Sequence, residues 1–208
     1  MNGIEKRAAD EIAGVLRRLI EGFAFFPNDI ELSLTTHPYL VRVRIRANAR
    51  DTAHIIGEEG FQFRSLCKIS QAIGKQHGVR VSFSHVERPI VGSKAEYPKF
   101  ISLPDWPRAK IKALALDTVK RCFVSGDLAS IQDNDVSEEE TIFVAHVSEL
   151  ENPRNVESLV GALGVVFNAI GRFHGRVVTL IVIPDVPDDS VPQPRSASGR
   201  HAAEIARW

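Results

Sequence analysis

The sequence predicts an α+β protein made of two tandem lobes, each with a three-stranded sheet and helices packed on one face of it. Apolar residues change along the chain between a helical period and strict alternation, which indicates helices interleaved with strands. A short motif followed by a Val-rich strand occurs twice, 97 positions apart. The chain has 208 residues, of which 44% are hydrophobic. This composition supports real cores and differs from that of disordered proteins.

The first half is predicted to have the element order α-β-β-α-α-β. Apolar side chains at helical spacing predict an amphipathic first helix, and two alternating segments predict a hairpin that turns at 37–39. The expected elements are a helix over 4–23, strands over 30–35 and 41–46, a short helix over 52–56 capped by Asp51, a longer helix from 61 to about 77 and a strand over 79–86.

The second half is predicted to repeat this order. The motif Ala72-Ile73-Gly74-Lys75-Gln76-His77-Gly78 recurs as Ala169-Ile170-Gly171-Arg172-Phe173-His174-Gly175. The same shift places the second copy's elements as a helix over 107–123, strands over about 128–132 and 141–147, a helix over about 155–173 and a strand over 176–183. Agreement of the whole order favours duplication over chance.

These patterns predict the domain boundaries. We expect a first domain over 1–88, a linker over 89–106, a second domain over 107–183 and a disordered tail over 184–208. The linker contains several prolines, and the tail is rich in Pro, Asp and Ser, a composition that cannot bury a core.

Charge and cysteine content limit the classes of partner. Lys+Arg and Asp+Glu are balanced at 26 each, but residues 1–90 carry +3, so a polyanion would mildly favour the first half. Cys67 and Cys122 have no ligand-spaced partner, so we expect no disulfide, no metal and no cofactor. A reducing cytoplasm suits this composition. The charged N-terminus and the lack of a long apolar run predict neither a signal peptide nor a membrane span.

The segment Ile55-Ile56-Gly57-Glu58-Glu59-Gly60 carries the functional argument. Two glycines let the backbone approach a phosphate closely, and the amides at the start of the following helix point at the anion. GxxG alone is a weak pattern. Here it follows a predicted hairpin and short helix, and it precedes a helix, a glycine stop and a strand.

With these features, residues 8–86 resemble the small bacterial single-KH RNA-binding proteins, which have the type II (prokaryotic) KH arrangement. The matching segments are VLRRLIEGFAFFPNDI, VRVRIRA, HIIGEEGFQFRSLCKISQAIGKQHG and VRVSFSHV. The resemblance implies a three-stranded sheet with three helices on one face. It also implies binding of single-stranded RNA with modest sequence preference, with single-stranded DNA as a second candidate ligand.

The sequence departs from the KH pattern at two places. Family loops usually carry a basic residue between the glycines, whereas Glu58 and Glu59 are acidic. One such charge near a phosphate costs on the order of a few kcal/mol at an effective dielectric of about 20, less if the side chain turns away. In the second copy Arg154-Asn155-Val156-Glu157 aligns with the loop and contains no glycine. We therefore expect the second copy to be KH-shaped and degenerate, without a binding loop.

The expected RNA contacts come from the loop and the helix that follows it: Ile56, Gly57, Glu58, Glu59, Gly60, Phe61, Arg64 and Lys68. Each has an alternative. The glycines could serve only as a turn between helices, and Phe61 could have a buried or staple-like role instead of stacking on a base. Arg64 and Lys68 could be a solvated helix face.

An outward arginine stripe on the second predicted strand (Arg42, Arg44 and Arg46) also has two interpretations. It is either an electrostatic footprint for a polyanion or a solvated sheet face paired with Glu31. The helix over 155–173 is apolar on most sides, so we expect it to pack against the first half or against another chain.

The expected function is that of a non-catalytic, cytoplasmic RNA-binding protein. The alternative is a protein–protein interaction module, for example within a ribonucleoprotein, that kept the KH fold and lost RNA binding. The acidic loop and the zero net charge favour this alternative, with the C-terminal lobe as the surface for a protein partner or for self-association. An enzyme has little support, because the chain has no P-loop, no GxSxG, no HExxH and no Cys–His pair placed together by the sequence.

Overall fold

Helices and strands alternate in the structure as the hydrophobic periodicity predicts. A computed structural model of the chain describes residues 3–84, 106–123, 130–135, 140–147 and 153–184. Within those ranges the protein is α+β, as expected, with five α-helices and two three-stranded sheets. The elements are α1 Gly3–Glu21, β1 Glu31–His37, β2 Leu40–Arg46, α2 Ala49–Ile56, α3 Phe61–Gln76, β3 Arg80–Phe83, α4 Arg108–Cys122, β4 Ser130–Asp135, β5 Glu140–Val147, α5 Pro153–Phe173 and β6 Val177–Pro184.

The first sheet has the strand order β1-β2-β3, with β1 antiparallel and β3 parallel to β2. The hairpin between β1 and β2 turns at Pro38 and Tyr39, where Tyr39 has a positive φ of 59°. In β2 the apolar residues Val41, Val43 and Ile45 are fully buried against the helices, and the alternate residues face outward. Period-2 patterning therefore decides which face of this sheet is the core face.

The second sheet repeats this topology, with the order β4-β5-β6, β4 antiparallel and β6 parallel to β5. Arg80 pairs with Leu40 in the first sheet, and Val177 pairs with Glu140 in the second. Arg80 and Val177 are 97 positions apart, which is the shift of the repeated motif. Residues 148–152, between β5 and α5, lie outside the described residues.

Two glycines at corresponding positions let a helix approach the next strand closely. A Cβ on Gly74 in α3 would clash with the Val81 side chain and lie 2.9 Å from the Val79 carbonyl oxygen. A Cβ on Gly171 in α5 would lie 2.7 Å from Val178 Cγ2 and 2.9 Å from the Arg176 carbonyl oxygen. All three distances are shorter than real Cβ contacts, so the repeated glycine has a packing role in both halves.

The helices of the two halves pack on one another. Helices α1 and α3 cover the first sheet, α4 and α5 contact the second, and α3 packs on α5 while α1 packs on α4. The buried apolar side chains of both halves form one continuous cluster that includes Phe23, Phe143 and Phe167. The apolar helix over 155–173 is expected to pack against the first half or against another chain. In the structure α5 packs against the first half.

The segment Val156–Phe173 of α5 is also long and apolar enough to cross a membrane by length and composition, with a mean hydropathy of 1.4. In the fold 39% of this segment is buried, and its core-facing residues include Leu163, Val166 and Ile170. A core helix of a folded protein meets the same criterion. The length and composition of this segment therefore do not test the expectation of no membrane span, which stays a prediction.

A chain of charged side chains joins the two halves beside this core. Arg18 Nη2 lies 2.6 Å from Asp117 Oδ2, and Arg121 contacts both Asp117 and Glu11, with Nη1 2.9 Å from Glu11 Oε1. The other Glu11 oxygen lies 2.7 Å from His77 Nε2. Burial raises the pKa of Asp117, but hydrogen bonds and charges from Arg121 and Arg18 outweigh it and hold the pKa below its ordinary value.

Three sequence expectations need correction. Among the described residues the second half has one helix, α5, between β5 and β6, so it does not repeat the α-β-β-α-α-β order of the first half. The short helix begins at Ala49 and not at residue 52, and Asn48 caps it by accepting a hydrogen bond from the Asp51 amide. Asp51 lies inside the helix, where its carboxylate has the different role described below. Trp106, placed in the linker by composition, is buried and stacks on His174 with ring centroids 5.3 Å apart. The rest of the predicted linker and nearly all of the predicted tail lie outside the described residues.

Candidate nucleic-acid interface

The first turn of α2 is tied to the segment that follows α1 by hydrogen bonds to the Asp51 carboxylate. The Asp51 carboxylate is fully buried and accepts hydrogen bonds from the Phe25 amide at 2.7 Å and the Phe26 amide at 3.0 Å. It also accepts one from Asn48 Nδ2 at 2.7 Å. Three donors satisfy the buried charge, so α2 has a defined start.

The loop between α2 and α3 has three residues with positive φ. Gly57 has φ 72° and ψ 178°, a region that is essentially restricted to glycine. Gly60 has φ 76° and ψ 14°, and Glu59 has φ 50° and ψ 17°, both in the left-handed region. A Cβ on Gly57 would also lie 2.7 Å from the Gln62 side chain. A non-glycine residue in this conformation costs on the order of 1–2 kcal/mol, so Glu59 stores strain in the loop.

The first turn of α3 has no side-chain cap among the described residues, although the Phe61 amide donates to the Glu58 carbonyl oxygen. Gly60 precedes the helix, and no side-chain oxygen from the described residues caps it. The first amides of a helix have no partner within the helix and lie at the positive end of its dipole. Gly60 donates its own amide to the Gly57 carbonyl oxygen at 3.2 Å, which closes the loop. Phosphate is the kind of ligand that this arrangement suits.

The structure brings the predicted contact residues onto one surface around this loop. Ile56 and Phe61, on either side of the glycines, expose 38% and 50% of their side-chain area. The Arg64 guanidinium lies over the Phe61 ring, 4.8 Å from its centroid, and Lys68 is exposed one turn further along α3. Phe61 is therefore not buried, and the two interpretations left for it are stacking on a base and a staple-like contact. Glu58 and Glu59 are both exposed.

The second half contacts the helix that leads into the loop. The His54 ring meets Phe25 edge-on at 4.7 Å between centroids and Phe173, at the end of α5, at 6.1 Å. Phe25 and Phe173 are 5.0 Å apart, and the Arg50 guanidinium covers Phe25 at 3.8 Å. Burial lowers the pKa of His54, with an opposing contribution from Asp51. The neutral imidazole is thus favoured in this aromatic cluster.

A groove of about 480 Å³ lies between the loop and the second half. Residues of both halves line it: Glu58, Phe61, Gln62, Gly164, Val165, Asn168, Ala169, Arg172, Val178, Thr179 and Leu180. Sequence reasoning placed Glu58 and Phe61 at a binding site but missed every residue from α5 and β6. The one available signal was the spacing of Gly164, Asn168 and Arg172, which places polar and small residues on the face of α5 away from its apolar stripe.

The outward arginine stripe of β2 is exposed at Arg42 and Arg44. Arg46 Nη1 lies 2.9 Å from Glu31 Oε2, across the strand pair in which these two residues are register partners. For Arg46 the structure thus has the cross-strand pairing with Glu31, which is the interpretation of the stripe as a solvated sheet face.

The two cysteines are not poised for chemistry. Burial raises the pKa of the Cys67 thiol to about 11, and it raises that of the fully buried Cys122 thiol as well. Both are therefore protonated thiols at neutral pH. Among the residues that the structure describes, no three or more His, Cys, Asp or Glu side chains cluster in a way that could hold a metal ion.

Comparison with protein-family models finds no match to this chain, and a search of curated proteins finds no similar sequence. Evidence on function therefore comes from the geometry of the loop and the groove.

Proposed function

We propose that the chain is a non-catalytic RNA-binding protein of two tandem KH-like lobes, with single-stranded RNA held at the Gly57–Gly60 loop. The first lobe covers residues 1–88 and the degenerate second lobe covers 107–183. One observation carries the proposal. A strained two-glycine loop leads into the first turn of α3, which no side chain of the described residues caps, whereas the aligned residues 154–157 of the second half lie in a continuous helix. The sheet topology is the same in both halves, so this topology does not require the loop.

In this proposal the loop backbone and the first turn of α3 hold a phosphate, and the exposed Phe61 ring supports a base. Arg64 and Lys68 contribute positive charge on the same helix. Glu58 and Glu59 oppose the phosphate, so we expect micromolar affinity and a strong dependence on salt. The ligand is RNA in a cytoplasmic setting, and single-stranded DNA is the second candidate.

Fluorescence anisotropy of a labelled single-stranded RNA pool, titrated with the full chain at about 50 and 200 mM salt, tests the proposal. Each phosphate contact contributes a slope of about −0.7 to a plot of log affinity against log salt. Gly57 is a poor position for a control because its conformation is essentially restricted to glycine. Gly60 is better, because Asn and Asp tolerate the left-handed region and the nearest obstacle to a Cβ is the mobile Arg64 guanidinium at 3.4 Å.

The matched pair is Gly60→Asp and Gly60→Asn, which have nearly the same shape and differ in charge. We expect Gly60→Asp to weaken binding at least tenfold more than Gly60→Asn, because its carboxylate faces the phosphate. Equal binding by the two folded variants and the native chain would place the RNA elsewhere. No binding by any of them at low salt would reject the proposal.

A second candidate function, protein–protein interaction, is favoured by the open face of the second sheet. Val177, Ile181 and Ile183 alternate along β6 and expose 45%, 41% and 40% of their areas. An apolar strand face of this kind is typical of an interaction surface. This function predicts concentration-dependent association in sedimentation velocity that Ile181→Arg removes. A chain that stays monomeric at high concentration and captures no protein partner would count against it.

A further inference from the structure

The second half has no binding loop, yet it forms one wall of the groove beside the loop of the first half. Asn168 and Arg172 on α5 and Thr179 on β6 line the groove opposite Glu58, Phe61 and Gln62. The groove volume of about 480 Å³ falls in the range of small-ligand pockets, which is ample for one nucleobase with its sugar.

Gly164 contributes no side chain to the part of the groove that α5 lines. A Cβ placed on Gly164 would meet nothing within 4 Å, so packing does not require glycine here. Glycine inside a helix is less favourable than alanine. The absence of a side chain at this position leaves the groove open next to the exposed Phe61 ring.

The Glu58 side chain supplies the hydrogen-bond acceptor on the loop side of the groove. Gln62 also lines the groove, but its Oε1 atom is buried and has no hydrogen-bond partner among the described residues, so a ligand in the groove does not reach it. The Glu58 carboxylate, also in the lining, is an acceptor only. Cytosine and adenine carry exocyclic amino groups that donate, whereas uracil presents a carbonyl oxygen at the same place.

We propose that the groove between Glu58 and α5 is a nucleobase pocket that prefers amino-bearing bases over uracil, with its far wall supplied by the second half. The base stacks on Phe61 and donates its amino group to Glu58. Arg172 neutralises the Glu58 charge and contacts an adjacent phosphate, and Asn168 offers a further amide. This inference rests on the proposed RNA binding, and it gives the acidic loop a role in selecting the base.

The test compares cytidine and uridine RNA octamers, which have bases of the same size, by anisotropy at low salt. We expect the native chain to bind oligo(C) about tenfold more tightly than oligo(U). Glu58→Gln should remove most of this preference, because the glutamine amide can donate to the uracil carbonyl. Equal binding of the two octamers by the native chain would overturn the base preference.

Two matched pairs test the wall from the second half. Gly164→Leu fills the groove, whereas Gly161→Leu places the same side chain on α5 outside the groove lining, and neither Cβ meets an atom within 4 Å. Arg172→Ala removes a lining charge, and Arg17→Ala removes an exposed charge on α1 that does not line the groove. We expect Gly164→Leu and Arg172→Ala to weaken oligo(C) binding at least fivefold and the two controls to change it less than twofold.

The outcomes separate this inference from the proposed function. If Gly60→Asp weakens binding while Gly164→Leu and Arg172→Ala behave as their controls, the loop binds RNA and the second half does not take part, which overturns the inference alone. If the native chain binds neither octamer, the proposed function fails and the inference fails with it. Circular dichroism of each variant confirms folding before the titrations.

Discussion

The two halves of this protein share a sheet topology and a helix–strand contact but differ at the place where a ligand would bind. Each sheet joins an antiparallel hairpin to a parallel third strand, and each main helix meets that strand through a glycine, Gly74 or Gly171. In the first half α2, a loop and α3 stand where the second half has the single helix α5 from Pro153. The core contacts therefore tolerate either connection. The sheet topology and the core contacts therefore do not require the strained loop.

The outward faces of the two sheets also differ: the first carries exposed arginines and the second carries exposed apolar residues. Arg80 on β3 corresponds to Val177 on β6, and both are exposed. Arg42 and Arg44 are also exposed on the first sheet, while Ile181 is exposed on the second. One topology thus presents a basic surface in one half and an apolar surface in the other. The surfaces diverge because outward positions of a sheet have few packing constraints.

The largest expected effect tests the equivalence of the two halves. Gly74→Ala and Gly171→Ala should each destabilise the fold by about 1–3 kcal/mol, because a methyl group at either site overlaps the following strand. Gly14→Ala is the control: it lies within α1, nothing lies within 4 Å of its Cβ, and it should stabilise by about 0.5–1 kcal/mol. Urea unfolding of the three variants measures these changes. If only one of the first two variants is destabilised, the glycines are not equivalent.

The next prediction compares charge in the loop with charge at the aligned helix. Glu59→Lys should raise RNA affinity about five- to tenfold at 50 mM salt, because it replaces a repulsive charge beside the phosphate with an attractive one. Glu157→Lys makes the same charge change on the exposed surface of α5 and should alter affinity less than twofold. Anisotropy titrations compare the two. An equal rise for both variants would mean that net charge, and not the loop, governs binding.

Glycine substitutions at the same two positions should change stability in opposite directions. Glu59→Gly relieves a positive φ and should stabilise by roughly 0.5–1 kcal/mol after the entropy cost of glycine. Glu157→Gly removes a helix-forming residue from α5 and should destabilise by roughly 0.5–1 kcal/mol. Chemical denaturation measures both. A destabilised Glu59→Gly would show that the loop conformation does not carry the strain assigned to it.

The smallest expected effect concerns the contact between Phe173 and α2. Burial lowers the pKa of His54 in the folded state, so the unfolded chain binds a proton more readily at this site. The contribution of His54 to stability is therefore present above its ordinary pKa of about 6.5 and is lost as the pH falls below that value. An NMR titration of the His54 ring should give a pKa below 6.5. The Phe173→Ala variant exposes the His54 ring, so the pKa of His54 should return toward 6.5. An unchanged pKa would show that the second half does not contribute to the burial of His54.

Much of the architecture was predictable because its signals are local. Alternation in β2 and the apolar stripe of α3 lie within short segments, and the structure has these elements close to their expected bounds. The loop could be identified because glycine spacing and the order of flanking elements are written in consecutive residues. The prediction that Asp51 caps α2 was wrong because Asn48 and Asp51 are both good capping residues. Only the position of the Phe25 and Phe26 amides shows that Asp51 is used to hold the preceding turn.

By itself the sequence determined the α+β class, the repeated motif and the location of the two-glycine loop, since each depends on residue types at fixed short spacing. The tertiary structure alone decided that α5 docks on α3, that His54 meets Phe173 and that Asn168 and Arg172 face the loop across a groove. These contacts join residues about a hundred positions apart. They arise because two apolar helix faces bury each other. Hydrophobic periodicity predicts that each face will be buried but does not identify the helix that covers it.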